Sequence, residues 1–260
     1  MTLKSVVAHL LMLQNFIPKY VQAINGPLWT MPVDFEFYFA LPVAAALAFG
    51  AFRGIERERR PRAFLAMLAG VIAASLLYRF AIQLASPKFS FTIAYYVLMS
   101  NLFGMAAIFG LGILLAYVVE MRDGRPLPRT PALWALVASI ALFRAAQQDV
   151  VMPDALNSLL AALSVFAALA ALPSFDLARR IAQTRAVAAV ASLAYAIYLF
   201  HLPVLHAVSK VLGQPTGYTA LLELALGTAV VLFPIVYVGH RFVERPFLAI
   251  KDTKRDPVAA

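Results

Sequence analysis

Long runs of apolar residues alternate with short polar segments along the whole chain. The runs cover residues 4–17, 34–52, 63–84, 91–119, 131–146, 155–172, 187–212 and 219–240. Most of them reach the roughly 20 residues that an α-helix needs to cross ~30 Å of hydrocarbon. None shows the two-residue alternation of a membrane β-barrel. The pattern therefore predicts an all-α fold, a polytopic membrane helix bundle of about eight transmembrane helices.

Basic residues predict the orientation of these helices. One set lies at the N-terminus, in the loops after the second, fourth and sixth runs, and in the C-terminal tail: Lys4, Arg53, Arg57, Arg59, Arg60, Arg62, Arg122, Arg125, Arg129, Arg179, Arg180, Arg185, Arg241, Arg245, Lys251, Lys254 and Arg255. The other loops hold only Lys19, Lys88, Arg144 and Lys210. Because positive charge is retained on the cytoplasmic side, we expect both termini to be cytoplasmic. Residues 1–250 would form the transmembrane domain and residues 251–260 a short basic tail.

Composition supports the same interpretation and excludes several classes of function. Hydrophobic residues make up 62% of the chain and charged residues 13%, and the mean hydropathy is +0.80. The net charge of +9 is spread over short loops, which fits anionic lipid head groups, so we expect a lipid bilayer as partner and no nucleic acid. With no cysteine, the chain has no disulfide and no thiolate metal ligand. It contains no HExxH, Walker or GxSxG motif, and we expect neither a metal nor a bound cofactor.

Five ionisable residues fall within or at the ends of the apolar runs. Counting 1.5 Å per helical residue places Asp34, Glu36, Arg79, His201 and Glu223 at a similar depth near the outer side. An ionisable group inside a membrane costs a few kcal/mol and usually faces a cavity or a partner. This placement predicts a polar pocket that opens outward.

Each of these residues also has a simpler explanation. Carboxylates in the first turn of a helix, such as Asp34 and Glu36, are favoured by the helix dipole, and Arg79 can extend towards the interface. His201 precedes Pro203 and can be a hydrogen-bonded structural residue. We interpret His240 as an interfacial residue. By themselves these residues leave an enzyme and a transporter equally open.

Three sequence segments narrow the choice. They are NGPLWTMPVDFEFY at residues 25–38, SLAYAIYLFHLPV at 192–204 and RFVERP at 241–246. Their order and content resemble the GPLWSLxVExQFY, SYxIYLxHxP and FxExP segments of the acyltransferase-3 family of membrane O-acyltransferases. The resemblance covers essentially the whole chain. Asp34 stands where the family usually has Glu, Thr30 replaces Ser, and Glu36 stands where Gln is common.

The resemblance implies an enzyme of the bacterial inner membrane. Its donor would be an acyl-CoA, with acetyl-CoA expected, and its acceptor a hydroxyl group of a cell-envelope polysaccharide or glycolipid. Asp34 and His201 would be catalytic. The substrate-binding residues would be Trp29, Thr30, Glu36, Tyr38, Arg79 and Tyr198. We expect the two catalytic residues to converge with Arg79 and Tyr198.

The resemblance is incomplete at the front of the chain. Members of the family typically have two further spans, of which the first carries a His that serves as general base. His9 lies on a different span, so we expect this chain to correspond to spans three to ten and to transfer little acyl group by itself. Robust transfer would make His201 the next candidate for the base. The alternatives are a transporter of a small molecule or lipid-linked precursor and a catalytically inactive remnant.

Overall fold

The computed structural model describes residues 2–21, 23–85, 92–147, 154–213 and 216–253, and it contains no β-strand within them. Its α-helices are α1 (Leu3–Leu10), α2 (Thr30–Phe52), α3 (Arg60–Ala85), α4 (Ile93–Met99), α5 (Leu102–Met121), α6 (Arg129–Ala146), α7 (Asp154–Ala171), α8 (Asp176–Ala182), α9 (Arg185–Leu212), α10 (Tyr218–Gly239) and α11 (Arg245–Thr253). One π-helical turn, His240–Glu244, joins α10 to α11.

Six helical segments of the described residues are long and apolar enough to cross a membrane. They are Gly26–Phe52, Arg57–Ala85, Leu102–Met121, Ala155–Ser174, Arg185–Leu212 and Tyr218–Ala249. The predicted all-α membrane helix bundle is confirmed. The fifth predicted span is the 18-residue helix α6, which carries Arg144 in its last turn and packs along α7.

The first predicted span, residues 4–17, is wrong. Helix α1 has only eight residues, which corresponds to about 12 Å and is too short to cross hydrocarbon. The helix stops because Met12 takes a left-handed conformation with φ of 57°. Gln14 and Asn15 then form a 3₁₀ turn with Phe16 and are almost completely buried.

The fourth predicted span is interrupted in the structure. Helix α4 ends at Met99 and α5 begins at Leu102, because Asn101 caps the new helix by accepting a hydrogen bond from Gly104 N at 3.0 Å. A methyl group at Gly104 would lie 2.3 Å from the Met99 carbonyl oxygen, so only glycine fits at this position. The break turns one apolar run into a short helix and a membrane-length helix.

The chain divides into two compact units. Unit 1 comprises residues 1–24 and 29–181, and unit 2 comprises residues 25–28 and 182–260. In unit 1, α3 packs along α5 and α6 packs along α7. In unit 2, α9 packs along α10, and a small apolar core joins them: Ala196, Val204, Val208, Leu224, Leu232 and Val236.

Some sequence predictions concern residues outside the described ranges. Lys88, Lys254 and Arg255, used for the predicted orientation, are among them. Helix α11 extends to Thr253, into the predicted tail at 251–260. The predicted transmembrane domain at 1–250 stays a prediction.

The cysteine-free chain allows a direct test of topology. Single cysteines at Arg57 and Arg125 should be protected from a membrane-impermeant maleimide in intact cells, because their basic loops stay inside. A cysteine at Arg144 should be labelled. A cysteine at Lys4 should be labelled too, because α1 is too short to cross before α2. This prediction replaces the expectation from sequence that Lys4 is cytoplasmic. Protection of the Lys4 position would show that the chain crosses the membrane ahead of α2.

Close packing of α3 against α5 predicts a stability difference between two glycines of α5. A methyl group at Gly110 would lie 2.7 Å from Ile72 Cγ1, whereas nothing lies within 4 Å of one at Gly112. Since Ile72 is β-branched and stiff, Gly110→Ala should destabilise the protein by about 1–3 kcal/mol. Gly112→Ala is the matched control and should not. Thermal unfolding in detergent measures both, and equal midpoints would contradict this helix contact.

Candidate functional site

In unit 2, the first and second signature segments meet at a break in the hydrogen bonding of α9. Pro203 has no N–H, so the carbonyl group of Leu199, four residues earlier, loses its helical donor. Asn25 replaces that donor, because its Nδ2 donates to Leu199 O at 2.7 Å. Asparagine at position 25 therefore stabilises the proline-containing helix, and it attaches the segment Asn25–Leu28 to α9.

A second contact fixes the same segment beside the predicted catalytic histidine. The Tyr198 hydroxyl group donates to Pro27 O at 2.9 Å. The Tyr198 ring also lies next to the His201 imidazole, with 5.7 Å between the ring centroids. Two predicted site residues, Tyr198 and His201, are thus brought together in unit 2.

The position of the His201 ring is set by its own helix. His201 Nδ1 lies 2.6 Å from Tyr198 O. A carbonyl oxygen can only accept, so Nδ1 carries a proton and donates it to this bond. In the neutral ring Nε2 is then the nitrogen that can accept a proton.

The register of α9 against α10 gives the level of His201 within unit 2. A methyl group at Gly239 would lie 3.8 Å from Phe200 Cε2, so the end of α10 faces the middle of α9. Helix α10 has 22 residues, a length of about 33 Å. His201 is therefore level with the end of α10, and its predicted place near the outer side stays a prediction.

The π-helical turn that follows Gly239 contains a histidine–carboxylate pair. His240 Nδ1 lies 2.8 Å from Glu244 Oε2, and the two side chains are 19% and 20% exposed. This pair is absent from the sequence predictions, which give His240 only an interfacial position. The i,i+4 spacing of a histidine and a glutamate in an otherwise helical segment is the signal that indicates it.

In unit 1, the predicted carboxylates of α2 point in different directions. Glu36 is half-buried, and its Oε2 accepts a hydrogen bond from Leu102 N at 2.7 Å, at the start of α5. Its Oε1 is buried with no hydrogen-bond partner among the described residues. Asp34 is exposed, and Tyr38, one turn further on the same face, is 71% exposed. Glu36 therefore supports the helix packing, whereas Asp34 is accessible.

Trp29 and Thr30, which were predicted to bind substrate, lie at the start of α2. The Trp29 ring contacts Tyr96 edge-on, with 5.7 Å between centroids. Asn15 donates both to Trp29 O and to Ser100 O, the latter at 2.8 Å. Thr30 is the first residue of α2 and is half-buried. The start of α2 is thereby joined to the break between α4 and α5.

Arg79 is 3% exposed and links three helices of unit 1. Its Nη1 donates to Gly104 O on α5 at 3.1 Å, and its Nη2 donates to Ser158 Oγ on α7 at 2.8 Å. The cavity beside it measures about 10 Å³, which is room for about one water molecule. These contacts show a structural role, and the substrate-binding role of Arg79 stays a prediction.

A cleft of about 670 Å³ lies between α2, α3 and α5 in unit 1. Its walls are almost entirely apolar, with Ser75 and Tyr78 as polar exceptions. Ser75 Oγ donates to Phe103 O at 2.7 Å and accepts from Ala107 N at 3.0 Å, so it is already used within the protein. The cleft therefore offers contacts suited to hydrocarbon.

The predicted site residues fall into two groups. Trp29, Thr30, Asp34, Glu36, Tyr38 and Arg79 belong to unit 1, and Tyr198 and His201 belong to unit 2. The predicted convergence of Asp34 and Arg79 with His201 stays a prediction. Among the described residues, no group of His, Asp and Glu could hold a metal ion.

Comparison with known proteins gives one finding. The family model described as an acyltransferase domain matches residues 2–240. No curated protein and no solved structure matches the chain. The matched residues include the segments 25–38 and 192–204, which meet around Asn25 and Tyr198, whereas the third segment, 241–246, follows the end of the match. The chain therefore belongs to the acyltransferase-3 family of membrane acyltransferases.

Proposed function

We propose that this protein transfers an acyl group from acyl-CoA to a hydroxyl group of a cell-envelope carbohydrate or glycolipid. Acetyl-CoA is the expected donor, and the bacterial inner membrane is the expected location. The family supplies the reaction class, and the membrane-length helices supply the location of the enzyme in a bilayer. The proposal about the acceptor rests on the signature segments and on the polar groups near them.

The proposed reaction needs a base for the acceptor hydroxyl group. We propose His201 for this role, which replaces the expectation from sequence that the chain by itself transfers little acyl group. His201 Nε2 takes the proton of this group while the oxygen attacks the thioester carbonyl carbon. A C–O bond forms, the C–S bond breaks, and CoA leaves as its thiol when the sulfur receives a proton. The single observation that supports this role is the 2.6 Å contact of His201 Nδ1 with Tyr198 O, which fixes the ring and directs the basic lone pair to Nε2.

Asp34 and its neighbours on α2 fit an acceptor rich in hydroxyl groups. An exposed carboxylate within a membrane-length helix is costly unless it meets polar partners, and sugar hydroxyl groups are donors that suit it. Trp29, Thr30 and Tyr38 belong to the same signature segment. Glu36 would contribute by holding α2 to the start of α5 beside these residues. Arg79 would contribute by holding α3, α5 and α7 in place around these residues.

The role of His201 can be tested with a control on the same helix. His201→Gln should lower transfer from radiolabelled acetyl-CoA to envelope glycans by about 10²–10⁴-fold, because general-base catalysis is lost. His206→Gln, which changes an exposed histidine of α9, should leave transfer unchanged. The assay uses the full chain in nanodiscs. Absence of transfer by the unaltered chain, or full activity of His201→Gln, would contradict the proposed base.

The role of Asp34 predicts a difference between two substitutions. Asp34→Asn removes the negative charge and should lower kcat/KM by about 10–100-fold, which corresponds to the ~1.5–3 kcal/mol of a hydrogen bond to a charged group. Asp34→Glu restores the residue usual in the family and should keep most activity. Equal activities of the two variants would show that the carboxylate of Asp34 is not needed for transfer.

A further inference from the structure

The π-helical turn His240–Glu244 lies in unit 2, directly after α10. Such a turn departs from regular α-helical hydrogen bonding. It is rare in proteins, and where it occurs it is often part of a functional site. Here it brings His240 Nδ1 to 2.8 Å from Glu244 Oε2, with both side chains about four-fifths buried. A carboxylate at this distance orients the imidazole and stabilises a positive charge on it. The geometry is that of a histidine whose ring is oriented by a carboxylate.

The same turn lies at the level of His201. Gly239 faces the ring of Phe200 across the helix pair, as shown by the 3.8 Å distance from a methyl group at 239 to Phe200 Cε2. His240 directly follows Gly239, and His201 directly follows Phe200. Each histidine therefore directly follows one member of the facing pair Phe200 and Gly239.

The directions of helices α9 and α10 determine on which side of the helix pair the two histidines lie. Each residue of an α-helix turns by about 100° from the one before it, always in the same sense when viewed from the N-terminus. Helices α9 and α10 are antiparallel: from Gly227 to Gly239 the facing positions run backwards from Val208 to Phe200. One step on α9 and one step on α10 therefore turn to the same side. His201 and His240 border one groove.

We propose that His240, oriented by Glu244, is the general acid of acyl transfer and that it acts beside the base His201. This proposal rests on the proposed function and deepens it. In the reaction, His201 Nε2 accepts the proton of the acceptor hydroxyl group, and the C–O bond forms as the C–S bond breaks. His240 Nε2–H gives its proton to the departing sulfur of CoA. A proton passing from His201 back to His240 restores both residues, so the reaction is balanced without another reactant.

The basic residues next to His240 and Glu244 fit a binding position for the acyl-CoA donor. Arg241 and Arg245 lie in and just after the turn and are exposed. Arginine binds phosphate well, so the phosphates of CoA would be held next to His240 rather than next to the acceptor. Tyr198 and His201 lie on α9, across the groove. The leaving thiol is thus placed near the acid, and the hydroxyl group near the base.

The test compares two donors in the full chain in nanodiscs. Acetyl-CoA needs a proton on its departing sulfur, whereas its selenoester analogue leaves readily as the selenolate. His240→Gln should lose about 10²-fold in rate with acetyl-CoA and recover most of the loss with the selenoester. Glu244→Gln, which removes only the positioning carboxylate, should show a smaller loss with the same donor dependence. His201→Gln should stay slow with both donors, and the control His206→Gln should match the unaltered chain.

The possible outcomes separate this inference from the proposed function. Unchanged activity of His240→Gln with acetyl-CoA would overturn the role of His240 as acid. Equal loss with both donors, in His240→Gln and in Glu244→Gln, would overturn it as well, since a purely structural pair gives that result. Neither result would affect His201. Failure of the unaltered chain to transfer from either donor would instead overturn the proposed function.

Discussion

Backbone groups must be paired wherever a helix breaks inside hydrocarbon, because no water is present to replace the lost bond. This constraint accounts for much of the described structure. Asn25 pairs the carbonyl of Leu199 that Pro203 leaves open, Glu36 pairs the amide of Leu102, and Asn15 pairs the carbonyl of Ser100. Each break is therefore closed by a side chain from a distant part of the chain. The helices are held together at the points where they are irregular.

The same contacts organise the candidate site of unit 2. The segment Asn25–Leu28 is held to α9 by two hydrogen bonds, one to Leu199 O and one from Tyr198. Tyr198 and His201 lie on the same turn, and the carbonyl of Tyr198 fixes the His201 ring. Structural pairing and site geometry thus depend on the same few residues. A substitution at Asn25 would be expected to disturb both.

Two kinds of buried polar residue occur in this membrane protein. Arg79 and Ser75 spend their hydrogen bonds on backbone and hydroxyl groups of neighbouring helices, which explains them as structural residues. The imidazoles of His201 and His240 each use Nδ1 within the protein and keep Nε2 for other partners. That division separates residues that hold the bundle together from residues that can exchange protons.

The sequence by itself determined the fold class, the family and most of the membrane-length helices, because apolar length and signature motifs are local properties. It could not determine that residues 4–17 fail to cross, since Met12 and the buried Asn15 end the helix through tertiary contacts. Nor could it show that the middle of α9 faces the end of α10, or that His240 pairs with Glu244. Those depend on the register of α9 against α10 and on a π-helical turn, which arise only when the helices pack.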